Sequence, residues 1–131
     1  MIGIDTNVLI RFLVEDDADQ SEAVRKWMAM RDAEIPAYVS TIVLAETVWV
    51  LSRRLKYPMK QVTNILRDLL AADGLVFEET ERLDALLHNG EPATDLADYL
   101  ISWQAAAAGC SYTVTFDRQA AGAIPEMELL A

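Results

Sequence analysis

The chain has 131 residues, which is enough for one domain of ordinary size and too few for two. Hydrophobic residues make up 53% and charged residues 24%, with only five glycines and four prolines, so the composition excludes a disordered, collagen-like or low-complexity chain. No apolar run approaches the roughly 20 residues of a transmembrane helix, and the N-terminus lacks the basic and apolar regions of a signal peptide. We therefore expect a compact cytoplasmic protein with one domain over residues 1–131.

Charge is distributed unevenly along the chain. Acids outnumber bases by 21 to 11, and this net charge of −10 argues against a general nucleic-acid binder. Residues 49–72, however, hold five basic residues and one acid, a net charge of +4, while the rest of the chain carries −14. This segment is either a basic patch that contacts a partner or a solvated helix face and loop.

The N-terminal part of the chain alternates short apolar strands with helices. The first predicted elements are a strand at 2–5, a helix carrying Val8, Leu9, Phe12 and Leu13, and a helix at 18–31. A strand at 37–39 follows, and then a helix that is capped by Ser40 or Thr41 and runs to about Leu55. The last two are a strand at 75–77 and, before it, a helix after Pro58 carrying Val62, Ile65, Leu66, Leu69 and Leu70. The helix after Pro58 ends at Asp73 and Gly74, with Gly74 as its predicted C-cap.

The remaining part repeats the alternation. Its predicted elements are a helix carrying Leu83, Leu86 and Leu87 that Asn89 and Gly90 stop, a helix at 95–108 that Gly109 ends, a strand at 112–116, a helical turn at 117–121 and an edge strand at 127–130. This pattern predicts an α/β fold in three α/β/α layers, with a central parallel sheet of four to five short strands. Cys110 cannot form an internal disulfide, and we expect it to be a small buried hydrophobe.

Glu46 lies where a carboxylate needs an explanation. It is the only acid between Thr41 and Leu55, and its neighbours three and four positions away are apolar. On a buried apolar face its ionised form would cost several kcal/mol unless a cation or hydrogen-bond donors compensated. A functional carboxylate and a salt bridge to a core arginine are the two interpretations.

Four further acids are predicted at the ends of strands or the starts of helices. Asp5 and Asp117 each end a strand, at the edge where parallel sheets bind ligands, and Asp95 and Asp98 share the first turn of one helix. Taken singly, each is also a plausible helix cap or partner of the helix dipole. Together with Glu46 they supply several oxygen ligands. No thiolate joins them, and the one histidine, His88, lies at a helix end where it is not placed to be a ligand. A set of carboxylate oxygens alone suits Mg²⁺ or Mn²⁺.

A carboxylate-bound metal with no other nucleophile in view predicts metal-assisted hydrolysis, most naturally of a phosphodiester. No histidine is placed for a Ser-His-Asp triad, and the chain has no glycine-rich phosphate-binding loop. The residue pattern leads to this class of reaction and no further.

Four segments occur in a familiar order: IDTNVLI, VSTIVLAETVWVL, TDLADYLISWQAAAAGC and TVTFDR. They cover nearly the whole chain, which resembles the PIN-domain ribonucleases and in particular the VapC-type toxins of bacterial toxin–antitoxin modules. The resemblance implies a parallel sheet flanked by helices, a Mg²⁺ or Mn²⁺ site, and endonucleolytic cleavage of RNA to a 5′-phosphate and a 3′-hydroxyl. It also implies a homodimer that an antitoxin protein holds inactive.

The resemblance assigns roles to particular residues. The catalytic acids that it implies are Asp5, Glu46, Asp98 and Asp117. Asp5 and Asp98 match the acids that bind the metal directly, Glu46 and Asp117 match further possible ligands, and Asp95 matches an additional acid of the subfamily with a D-x-x-D pair. The polar positions expected to orient carboxylates or water are Thr6, Asn7, Ser40 and Thr115. The candidates for an RNA track, doubled in a dimer, are Arg53, Arg54 and Lys56.

Three alternatives stay open at this point. Trp103 lies where small residues are usual in the family, and packs either at a dimer face or in the core. A PIN fold acting as a binding scaffold is disfavoured, because clustered carboxylates without a metal raise one another's pKa and destabilise the fold. A receiver-type phosphoryl-transfer domain would need a lysine near its last strand, and no lysine follows Lys60.

Overall fold

The computed structural model describes all 131 residues and divides the chain into two compact units. The N-terminal unit is Met1–Gly90 and the C-terminal unit is Glu91–Ala131. The single domain expected from the length of the chain stays a prediction. None of the helices combines the length and the apolar character needed to cross a membrane.

The N-terminal unit alternates strands with helices. In chain order it contains β1 (Ile2–Gly3), α1 (Thr6–Leu13), α2 (Ala18–Met28), β2 (Ala37–Val39), α3 (Thr41–Trp49), α4 (Met59–Leu70), β3 (Leu75–Phe77) and α5 (Thr80–Leu87). The strands form a parallel sheet in the order β1-β2-β3, with Ala37 opposite Ile2 on one side and Leu75 on the other. The strands run in the same direction because helices make each connection between them.

Apolar side chains at helical spacing form much of the core of this unit. Val62, Leu66 and Leu69 recur at intervals of three and four residues on α4, and all are buried. Leu83 and Leu87 do the same on α5, against which α4 packs. Each fully buried side chain of this size contributes about 1.5–3 kcal/mol to stability, so the periodicity sets which face of each helix turns inward.

The helix expected to reach about residue 55 is α-helical only to Trp49 and continues as a π-helix over Val50–Arg54, called the π-turn below. The hydroxyl of Ser52 donates to the carbonyl oxygen of Val48 at 2.7 Å. This carbonyl, four residues earlier, is one that accepts a backbone N–H in a regular α-helix, so the side chain competes with the backbone for it. Lys56 follows with φ 60°, in the left-handed region that residues other than glycine rarely adopt. The π-turn was not predicted.

Gly74 is not the C-cap that the sequence suggested, and that prediction is wrong. Helix α4 ends at Leu70, with Ala71 at the C-cap position. A Cβ atom on Gly74 would lie 3.0 Å from the Cβ atom and 3.0 Å from the carbonyl oxygen of Arg31. Glycine leaves room here for the close approach of another part of the backbone, just before β3.

The C-terminal unit contains two helices and two strands: α6 (Leu96–Ala107), β4 (Thr113–Thr115), α7 (Arg118–Ala123) and β5 (Met127–Leu129). β4 and β5 pair in parallel, with Thr113 opposite Met127. Gly109, with φ 99°, ends α6 as predicted, because its left-handed conformation is open to glycine without strain.

Predictions were made for two side chains of this unit. Trp103 is half-buried, with its ring tilted against that of Tyr99 and 6.0 Å between the centroids, so the choice between a dimer face and the core stays open. Cys110 is exposed, so the prediction that it is a buried hydrophobe is wrong. The residue lies beyond the end of α6, where the apolar periodicity of the helix no longer applies.

Five parallel strands alternating with seven helices confirm the α/β class. The strand hydrogen bonds form a sheet of three in the N-terminal unit and a pair in the C-terminal unit, where a single sheet of four to five strands was expected. The predicted acids are therefore carried by strand ends and helices in both units.

Candidate active site

Asp5 connects the first strand to the first helix. The backbone N–H of Ile4 still donates to the carbonyl of Tyr38 at 3.1 Å, so pairing with β2 continues up to the residue before Asp5. The Oδ1 atom of Asp5 accepts from the N–H of Val8 at 3.0 Å, which makes Asp5 the N-cap of α1. The cap fixes the exposed carboxylate through one oxygen and leaves Oδ2 for a ligand. Asn7 is exposed in the first turn of the same helix.

Glu46 lies on α3 and is exposed, not buried on an apolar face. Ile42 and Trp49, one turn away on either side, are 69% and 57% exposed. The expected cost of burying this carboxylate is therefore absent, and the burial premise is wrong. The structure instead connects Glu46 to the N-terminal segment, because the hydroxyl of Thr6 donates to its Oε1 at 3.0 Å.

Two side chains secure the start of α3 and so set the position of Glu46. Ser40 is its N-cap and accepts from the N–H of Val43 at 3.3 Å. Glu78, which follows β3, accepts from the N–H of Thr41 at 2.9 Å. Glu78 also accepts a hydrogen bond from the hydroxyl of Tyr38, whose pKa is raised by desolvation and by the charge of this carboxylate. Sequence reasoning missed Glu78, although it too is an acid at the end of a strand.

Asp98 lies in the first turn of α6 and is half-buried. The hydroxyl of Thr94 donates to its Oδ2 at 3.4 Å. Desolvation by burial, followed by the charges of Asp117 and Asp95, raises the pKa of Asp98 above its ordinary value of 3.8, and the bond from Thr94 only partly opposes this. Within the C-terminal unit, the charges of Asp117 and Asp95 therefore disfavour the ionised form of Asp98.

Asp117 repeats the arrangement of Asp5 at the end of β4. Its Oδ1 accepts from the N–H of Ala120 at 3.0 Å, so it is the N-cap of α7. Its own N–H donates to the hydroxyl oxygen of Thr115 at 3.0 Å. The side chain is exposed. Thr115 therefore orders the backbone that carries the carboxylate.

The acids are divided between the units, with Asp5 and Glu46 in the first and Asp98 and Asp117 in the second. Neither unit by itself gathers three or more histidine, cysteine, aspartate or glutamate side chains in a group that could hold a metal ion. The chemistry of the donors nevertheless fits a divalent cation such as Mg²⁺ or Mn²⁺, because every donor is a carboxylate oxygen and the charges of Asp117 and Asp95 disfavour the ionised form of Asp98.

The predicted RNA-binding residues lie together at the end of α3. Arg53 and Arg54 belong to the π-turn, Lys56 follows it, and all three side chains are exposed. Elsewhere in the N-terminal unit, a groove of about 580 Å³ adjoins Asp5 and is largely apolar. Its lining residues are Gly3, Ile4, Asp5, Val8, Ala23, Val24 and Trp27.

The parallel strands define an α/β protein, and β1 and β4 are each followed by a helix whose N-cap is an aspartate, which is a candidate ligand at the end of a strand. The sequence model of the PIN domain matches residues 2–123, nearly the whole chain, and the chain therefore belongs to the PIN-domain family. The family has a three-layer α/β/α fold, and its members are generally nucleases that act on nucleic acids and typically use divalent metal ions. No curated protein and no solved structure matches the chain significantly.

Proposed function

We propose that this PIN-domain protein is a Mg²⁺- or Mn²⁺-dependent endoribonuclease and the toxin of a type II toxin–antitoxin system. The observation that carries the proposal is the electrostatic environment of Asp98. Desolvation and the carboxylates of Asp117 and Asp95 all disfavour its ionised form. Such a group is unfavourable in isolation and is relieved by a bound cation.

Asp5 and Asp98 are the proposed direct metal ligands, with Glu46 and Asp117 as further acids. When bound, the divalent cation supplies Lewis-acid chemistry, which lowers the pKa of water and offsets the negative charge of a phosphodiester transition state. Thr6 holds one oxygen of Glu46 by a hydrogen bond and so limits the rotation of that carboxylate.

Several polar residues support these acids through the backbone. Ser40 fixes the start of α3, and Thr115 accepts from the N–H of Asp117. Asn7 is exposed beside Asp5 and is proposed to contact water or substrate. Asp95 adds negative charge near Asp98, and we assign it no direct contact with the metal.

Cleavage of RNA tests the enzymatic part of the proposal. Wild-type protein, Asp98→Asn and Asp5→Asn are incubated with single-stranded RNA in Mg²⁺, in Mn²⁺ and in EDTA. We expect the wild type to cut only with metal and to leave 5′-phosphate ends, and we expect both variants to be inactive but folded. Asp84→Asn, an exposed substitution on α5, is the matched control. Wild-type activity in Asp98→Asn would refute the site.

The toxin role and the partners need separate experiments. Induction of the wild-type chain is expected to arrest bacterial growth, induction of Asp98→Asn is not, and co-expression of the cognate antitoxin is expected to restore growth. Light scattering tests the proposed homodimer. Growth arrest by Asp98→Asn equal to that by the wild type would separate any toxicity from RNA cleavage and would contradict the proposal.

A further inference from the structure

The three tryptophans of the chain have different surroundings. Trp27 is covered by the guanidinium of Arg31, which lies 4.4 Å from the ring centroid, and Trp103 is half-buried against Tyr99. Trp49 is 57% exposed and has no ring stacked on it and no cation over it. A large aromatic face left in water is unusual and suggests contact with a ligand.

Trp49 lies next to the candidate catalytic acid on the same helix. It follows Glu46 by three residues, and residues three or four apart share a face of an α-helix. The exposure of both side chains shows that this face of α3 points to solvent. A ligand that covers the ring of Trp49 is therefore about one helical turn from the carboxylate of Glu46.

The π-turn carries positive charge about one helical turn beyond this ring. A π-helix hydrogen-bonds residue i to residue i+5, so its turn is wider than that of an α-helix, and Arg53 and Arg54 follow Trp49 by one such turn along the same helix. Lys56 adds a third exposed cation in a left-handed backbone conformation. These residues belong to the segment of net charge +4 in a chain that is otherwise strongly acidic.

From this arrangement we infer that Trp49 and the cations of the π-turn form a binding subsite for single-stranded RNA. In this subsite an unpaired base stacks on the indole of Trp49, and Arg54 and Lys56 contact the adjoining phosphates. The inference rests on the proposed ribonuclease function and names the form of substrate that the site takes. An aromatic face flanked by cations is the combination that binds single strands, whereas the bases of a duplex are already stacked on one another. A symmetric dimer formed through this face would present the same cations from both copies, whereas a phosphate backbone offers them only negative charge.

The test measures binding apart from cleavage. A fluorescently labelled single-stranded RNA and the corresponding duplex are titrated with the protein at low ionic strength in EDTA, and affinity is read by anisotropy. We expect Trp49→Leu to weaken single-strand binding roughly tenfold, which is the effect of losing one stacked base, and to change duplex binding little. Trp49→Phe keeps an aromatic face and is expected to retain most of the affinity.

Control variants separate stacking from charge and from general surface hydrophobicity. Met30→Ala, which truncates an equally exposed apolar side chain in the N-terminal unit, is expected to bind as the wild type does. Arg54→Gln and Lys56→Gln are expected to weaken single-strand and duplex binding alike and to reduce the salt dependence of the affinity. Thermal unfolding of each variant checks that an exposed substitution has left the fold intact.

Each result has one meaning for the inference. Unchanged single-strand affinity in Trp49→Leu overturns it, even if the wild type cleaves RNA and the ribonuclease proposal stands. Loss of affinity in Trp49→Leu without cleavage by the wild type supports the subsite and refutes the ribonuclease proposal. If Trp49→Leu converts a dimer to a monomer in light scattering while its RNA affinity stays unchanged, the face belongs to a second copy and the subsite is refuted.

Discussion

Replacing Asp98 by asparagine should change the stability of the protein in opposite directions with and without a divalent metal. The substitution keeps the shape of the side chain and removes its charge. Because the pKa of Asp98 is raised in the folded protein, the folded state holds the proton more tightly than the unfolded chain. The stability of the metal-free wild type should therefore decrease as the pH rises from 3.8 through the raised pKa, whereas asparagine removes this contribution.

The size of both effects can be estimated. Asp98 is only half-buried, so solvent screens its repulsion from Asp117 and Asp95, and we expect Asp98→Asn to be more stable in EDTA at neutral pH by about 0.5 kcal/mol. For a chain of this length that corresponds to a rise of about 2 °C in Tm. Metal at a hundred times its Kd stabilises the wild type by about 2.7 kcal/mol, a shift of roughly 10 °C that the variant should lack.

Thermal unfolding followed by far-UV circular dichroism measures both shifts. The wild type, Asp98→Asn and the control Asp84→Asn are each melted at neutral and at acidic pH, in EDTA and in excess Mn²⁺. In EDTA at neutral pH the Tm of Asp98→Asn should be higher than that of the wild type, and in excess Mn²⁺ it should be lower. The Tm of the control should change with metal as that of the wild type does. A wild type more stable than Asp98→Asn in EDTA would refute the repulsion, and equal Mn²⁺ shifts in both proteins would refute the ligand assignment.

Three further substitutions test individual contacts. Lys56→Gly relieves a left-handed residue and should raise the free energy of unfolding by about 0.5–1 kcal/mol in urea titration; an unchanged midpoint would contradict the strain. Gly74→Ala places a Cβ atom 3.0 Å from the carbonyl oxygen of Arg31 and should lower the free energy of unfolding by about 1–3 kcal/mol; an unchanged value would show that the close approach does not restrict this position. Thr6→Val removes the hydrogen bond to Glu46 and should slow RNA cleavage by roughly tenfold, whereas Thr6→Ser should not; equal rates would remove Thr6 from the site.

Two strands of the N-terminal unit, β2 and β3, were predictable because local signals bound them closely, whereas β1 was predicted over residues 2–5 and spans only Ile2–Gly3. Pro36 precedes Ala37–Val39 and Gly74 precedes Leu75–Phe77, and both strands have the predicted limits. The physical role of Gly74 was not predictable, since it depends on the approach of Arg31, which is distant in sequence. The local sequence shows where β3 begins, but the reason for a glycine at position 74 comes from tertiary packing against Arg31.

Helix α3 shows where periodicity fails. Apolar residues lie on all sides of it, so the pattern indicates a helix but does not say which face is buried. For this reason Glu46 was expected on a buried face and is exposed. The π-turn after Trp49 involves the hydrogen bond from Ser52 to the carbonyl of Val48, and no spacing of apolar residues reports such a bond.

The candidate acids were chosen by residue type and place in the predicted topology, and these features are readable in a sequence. The hydrogen bond from Thr6 to Glu46 joins residues 40 positions apart, and the contact of Glu78 with the start of α3 spans 37. Neither pairing is encoded in local spacing. Thr6 was nevertheless proposed from the family resemblance, whereas Glu78 had no motif to indicate it.

The acidity of the chain favours a substrate surface that does not rely on charge alone. Single-stranded nucleic acid releases about 0.7 counterions for each phosphate neutralised, so phosphate contacts by Arg54 and Lys56 give a salt slope of only about −1.4. The rest of the chain, at −14, repels the same phosphates. A base stacked on Trp49 adds affinity that depends little on salt and limits that affinity to unpaired strands. The exposed indole and the local cations are therefore complementary parts of one surface.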